Sequence, residues 1–77
     1  MTRKKAWKAI KAERKVQDAI WGGLEHDSQH TAAEWASFIN KRTKKLQADE
    51  LSFGAERKWM IEIAALALAA LEASDEI

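Results

Sequence analysis

Glycine falls at only two places in this 77-residue chain, as the pair Gly22-Gly23 and as Gly54, and proline falls nowhere. These two residues are the usual breakers of regular backbone, so the chain is free to run as long helices interrupted twice. Over residues 2–21, Trp7, Ile10, Gln17 and Trp21, and then Leu24, recur at helical spacings. Ala9, Ala12, Val16 and Ala19 line an adjacent face, and two stripes on one helix predict two neighbours. Gly22-Gly23 ends this helix because glycine accepts a positive φ at little cost.

A polar turn over residues 25–30 leads to Thr31-Ala32-Ala33-Glu34, which reads as a capping box opening the second helix. Trp35, Phe38, Ile39 and Leu46 make its buried stripe. Residues 48–54 read as the second connection, with Ser52 or Gly54 as the cap of a third helix over residues 55 to about 73. There Ile61, Ile63, Leu66, Leu68 and Leu71 alternate with Ala64, Ala65, Ala67, Ala69 and Ala70, so this helix is apolar almost all round and is expected at the centre. The expectation is one all-α domain over residues 1–77, a small helical bundle of two long helices and a shorter middle one.

A chain of this length hides only about 60% of the surface it exposes when unfolded. Without cysteine it has neither disulfides nor a thiolate zinc site to compensate, which leaves self-association as the expected remedy. A homo-oligomer formed through the third helix and one face of the first would bury the excess. Lack of cysteine also agrees with a reducing cytoplasm. The basic start gives no uninterrupted apolar run of signal-peptide kind. The longest apolar stretch, residues 63–71, is far short of the roughly 20 residues that span a bilayer. No membrane partner is expected.

Net charge is +1, too little for a protein that coats nucleic acid, yet the charges are segregated. Arg3, Lys4, Lys5, Lys8, Lys11, Arg14 and Lys15 crowd the start, whereas Glu72, Asp75 and Glu76 close the chain. Lys41-Arg42-Thr43-Lys44-Lys45 reads most simply as a solvated face. Neither basic cluster interleaves aromatic residues, Trp7 excepted, so dedicated nucleic-acid binding is not expected.

The densest polar constellation is Glu25-His26-Asp27-Ser28-Gln29-His30, set before a helix N-terminus. It suits an anion, held by imidazoles and backbone N–H groups, or a metal on His26, Asp27 and His30. It equally suits plain capping and bracing of the turn. Of the four tryptophans most belong to core or subunit interface, while Trp21 and Trp35 flank the histidine turn and are placed to stack on a base. Gln17 and Arg14 lie one and two helical turns before Trp21, roughly on its face. The candidate ligand-binding set is therefore Arg14, Gln17, Trp21, His26, His30 and Trp35. Glu62, alone among apolar neighbours, needs a partner such as Arg14 or Arg57, or else faces a pocket.

Glu13-Arg14-x-x-Gln17, Trp21-Gly22, His26-Asp27-x-Gln29-His30-Thr31-x-x-Glu34-Trp35, Arg57 and the alanine-rich helix to Glu72 together resemble small hypothetical proteins common in bacteriophage genomes. The resemblance spans most of the chain and implies a viral origin, a bacterial host cytoplasm and a helical fold. The layout is distantly similar to MazG-like all-helical nucleotide pyrophosphatases. Those enzymes gather magnesium with Glu-Glu-x-x-Glu on one helix and Glu-x-x-Asp on another. Here Glu34 stands without the other carboxylates of the first motif, and Glu72 and Asp75 keep only the spacing of the second. Phage proteins that sequester nucleotide signals are similar in kind, though they share no residue motif with this chain.

The expected function is non-catalytic sequestration of a nucleotide-derived ligand in a pocket formed between subunits, with no metal and no cofactor. The alternatives are a metal-dependent pyrophosphohydrolase and an inhibitor of a host protein.

Overall fold

Helix propensity and capping act first. In the computed structural model, which describes residues 1–48 and 53–74 apart from the side chains of Leu24 and Phe53, every regular element is helical. The elements are α1 (Arg3–Trp21), α2 (Gly23–Asp27), α3 (Ala32–Leu46) and α4 (Phe53–Ser74). Thr2 caps α1 by accepting from the Lys5 N–H at 3.2 Å. Its first turn carries Arg3, Lys4 and Lys5 without an acid, which the helix dipole disfavours by about 0.3–1 kcal/mol per charge.

Gly22, at φ 99°, closes α1 with its N–H on the Asp18 carbonyl at 2.9 Å, and Gly23 follows at φ 73°. Two successive positive φ values suit glycine and strain any other residue. They turn the chain into α2, a five-residue helix occupying the first half of the segment read above as a polar turn. The expected capping box is present. Thr31 Oγ1 accepts from the Glu34 N–H at 3.2 Å, and a Glu34 carboxylate oxygen accepts from the Thr31 N–H at 3.1 Å. Gly54 lies inside the first turn of α4 rather than capping it. Ser52, the other expected cap, is outside the described residues, as is Asp75.

Helix α4 packs against each of the other three, while α1 meets α2 and α4 only, and α3 meets α4 only. Small side chains permit this. Ala65, Leu66 and Ala69 of α4 are buried, and Leu66 and Ala69 meet Trp35 of α3, with Phe38, Ile39, Ala70 and Ala73 packed around them. Among the described residues the buried apolar set is short, however, and Met60 and Leu71 of α4 remain exposed, as do Val16 and Ile20 of α1. No helix among the described residues is long and apolar enough to cross a membrane.

Truncating a buried leucine removes its transfer energy and leaves a cavity. Leu66→Ala is expected to cost about 2–5 kcal/mol in urea unfolding, whereas Leu71→Ala, at a site 67% exposed, should stay within about 0.5 kcal/mol. Equal costs at the two positions would mean that the Leu71 face is covered in solution.

Candidate functional site

Among the described residues, three buried side chains are polar: Arg14, Gln17 and Asp27. A buried charge needs partners for all its hydrogen-bonding capacity, and Arg14 finds them on three helices. Its guanidinium donates to Gln17 Oε1 at 3.0 Å and Asp18 Oδ1 at 2.8 Å on its own helix. It also donates to Asp27 Oδ2 of α2 at 3.2 Å and Glu72 Oε1 of α4 at 3.4 Å. Gln17 completes its own bonding by donating from Nε2 to Glu13 Oε2 at 3.3 Å. The planar fork of arginine suits such a junction, because its donors diverge in fixed directions.

The second oxygen of Asp27 lies 3.3 Å from His26 Nδ1, so the Arg14 network reaches the imidazole cluster through one carboxylate. His26 meets His30 edge to face at a centroid separation of 4.6 Å, and His30 meets Trp35 and Phe38 at 5.3 and 5.1 Å. His30 Nδ1 is 3.2 Å from Glu34 Oε2. That carboxylate is held below the usual range, first by the backbone hydrogen bond from Thr31 and then by the hydrogen bond with His30. An ionised carboxylate only accepts, so the ring nitrogen facing it, Nδ1, is the donor of this contact. Among the described residues, His30 Nε2 is the buried side-chain polar atom without a hydrogen-bond partner.

Beside this cluster opens a cleft of about 590 Å³, within the usual range for small-molecule sites. It is lined by Trp21, His26, Asp27, His30, Trp35 and Phe38, and by the cations Lys41, Arg42, Lys44 and Lys45 that follow Phe38 along α3. Arg42 is committed, donating to Glu62 Oε1 at 3.0 Å and to the Phe38 carbonyl at 2.9 Å. The Lys45 ammonium sits 4.1 Å above the Trp59 ring. Lys41 and Lys44 form no ion pair among the described residues.

Four of the six sequence-derived candidates, Trp21, His26, His30 and Trp35, thus share one cleft. Arg14 and Gln17 do not line it; they sit beneath, engaged with one another and with carboxylates. Helical periodicity placed Arg14 on the face of Trp21 but could not reveal the acceptors that three helices bring to it. The row at Lys41–Lys45, read above as a solvated face, lines the same cleft. Trp35, Phe38, Arg42 and Lys45 recur at steps of three and four, so helical spacing sets the cations along the aromatic stripe of the same helix. Glu62 pairs with Arg42 of α3. Glu34 already sits at the start of α3, so that helix N-terminus is occupied by its own anion. No three histidine or acidic side chains converge in a metal-holding arrangement among the described residues. No family model, curated protein or solved structure matches the chain.

Removing one member of a buried ion pair strands the other, at a cost of about 3–5 kcal/mol. Arg14→Met should therefore destabilise the fold by that order in chemical unfolding, and Asp27→Leu added to it should restore much of the loss. Two independent, additive losses would show that the pair is not coupled. Glu34 gives a pH signature. Its folded pKa is depressed, so its contribution is fully present above the usual glutamate range and is lost as pH falls through the folded value. An NMR titration of the Glu34 carboxyl carbon should give a midpoint below that of an exposed glutamate, and Thr31→Ala should raise it. A midpoint unmoved by Thr31→Ala would remove the capping box as the cause.

Proposed function

We propose that this chain is a phage-type, non-catalytic protein that binds and sequesters a nucleotide-derived ligand, with copies associating so that the pocket is completed between subunits. One observation carries the reading: aromatic rings and lysines that form no ion pair among the described residues line one cleft of nucleotide size. A base stacks on an aromatic face, a contact worth about 1–3 kcal/mol, and Trp21 is half open to receive it. Phosphates meet Lys41 and Lys44, which form no ion pair among the described residues. Arg14 and Gln17 act one layer below, by holding Asp27 and through it His26.

The carboxylates that a MazG-like mechanism would need are otherwise engaged. Glu34 closes the capping box, and Glu72 pairs with Arg14 at 3.4 Å. Both arrangements support a binder over a hydrolase. Exposed Val16, Ile20, Met60 and Leu71 supply the apolar surface through which copies would associate, on the two helices expected for this role.

Calorimetric titration with nucleoside mono- and triphosphates is the direct test, with light scattering to follow the oligomer. Lys41→Gln and Lys44→Gln should each weaken binding by about ten-fold to over a hundred-fold, as expected for a lost charge-assisted hydrogen bond. Helicity should not change, and Trp21→Ala should weaken binding of base-bearing ligands more than that of inorganic pyrophosphate. Absence of binding at millimolar nucleotide would overturn the proposal. Release of pyrophosphate with magnesium would replace it with the hydrolase.

A further inference from the structure

The cleft leaves the basic half of α1 unexplained. Seven of the thirteen basic residues but only one of the twelve acidic ones fall within the first fifteen positions, so a chain of net charge +1 divides into a basic helix and an acidic remainder. Lys4, Lys8, Lys11 and Lys15 follow one another at steps of four, three and four. At about 100° and 1.5 Å per residue they occupy an arc of about 60° and a line about 16 Å long, away from Ala6, Glu13 and Gln17 on the packed side. All four are exposed and none forms an ion pair among the described residues.

This arrangement breaks two local rules together. Like charges three and four apart repel along a helix, and Arg3, Lys4 and Lys5 sit at the end where the dipole disfavours cations. Nothing in the described fold offsets either cost. Trp7, three residues after Lys4 and four before Lys11, borders the row and is 50% exposed, although the sequence reading assigned most tryptophans to core or interface.

We propose that this face of α1 docks on single-stranded nucleic acid, with the lysine row tracking phosphates and Trp7 stacking on an unpaired base. Linear spacing of the cations fits a linear polyanion. The aromatic face discriminates among polyanions, since a base is free to stack only where it is unpaired. A bilayer fits less well: interfacial helices back their cations with a broad apolar face, and here Val16 and Ile20 lie on the other flank, toward the far end of the helix. This site is separate from the cleft and does not depend on the function proposed for it.

The test is fluorescence anisotropy of a labelled twelve-nucleotide oligothymidylate and its uridylate counterpart, titrated with the full chain. Four phosphate contacts predict a slope of log K against log salt near −3, or roughly fifty-fold weaker binding between 50 and 200 mM salt. Changing Lys4, Lys8, Lys11 and Lys15 together to Gln should abolish that slope without lowering the melting temperature, because it removes repulsion and keeps good helix formers. Trp7→Ala should weaken binding by about five-fold to over a hundred-fold with the salt slope retained. The pair Lys41→Gln and Lys44→Gln should leave oligonucleotide binding as it was. Loss of binding in that pair but not in the α1 variant would overturn the proposal. So would preference for a duplex of the same length, or binding to phosphatidylserine vesicles without binding to the oligonucleotide. A concentration-dependent self-association lost only in the α1 variant, with no oligonucleotide bound, would instead assign the row to a second copy of the chain.

Discussion

The guanidinium of Arg14 bonds across three helices that also pack on one another. It reaches Asp27 of α2 and Glu72 of α4 while bonded to Gln17 and Asp18 on its own helix, so the register of three helices is fixed at one buried point. An apolar contact would have tolerated sliding. A charged group with several directed bonds does not, because any shift leaves a buried donor or carboxylate unpaired, at a cost of about 1–3 kcal/mol or more for each group. Where the buried apolar set among the described residues is Trp35, Ala65, Leu66 and Ala69, directional bonding carries a larger share of structural definition than it would in a larger domain.

That junction also organises the candidate site. Asp27 divides its two oxygens between Arg14 and His26, and the imidazoles then contact one another and the Trp35–Phe38 pair. Among the residues lining the cleft, Arg42 is neutralised by Glu62 and Asp27 by Arg14, which leaves Lys41 and Lys44 as lining charges without an ion pair among the described residues. The electrostatic consequence is a cleft whose remaining charge is cationic.

Much of the local structure is legible in the sequence, because local rules dominate where residues three and four apart interact. The capping box at Thr31 and Glu34, the break at Gly22-Gly23 and the packing role of Ala65 and Ala69 follow from spacing and residue type. The short α2 is less legible: five residues are too few to show a period, and their polar character resembles a turn. The site is legible in part. Trp21, His26, His30 and Trp35 are close in sequence to the turn that gathers them, and the lysines follow Trp35 and Phe38 along the same helix. Arg14 illustrates the deeper limit. Sequence marks it as an anion binder, and the anions it binds are the protein's own, a distinction that depends on residues up to 58 positions away.

The distribution of charge shows how structural and surface demands are separated in so short a chain. Arg14 and Arg42, whose guanidinium groups each bridge helices, are buried or half-buried, whereas Lys4, Lys8, Lys11, Lys15, Lys41 and Lys44 are exposed. Arginine suits the first task because its planar donors can satisfy several acceptors at once within the fold. Lysine suits the second because its single, strongly hydrated ammonium on a flexible stem keeps its charge in water and meets an external anion without a fixed geometry. An exchange between the two types would therefore be asymmetric. Lysine at position 14 would leave acceptors on three helices underserved, while arginine at position 41 or 44 would keep the cleft cationic and alter only how an anion is gripped.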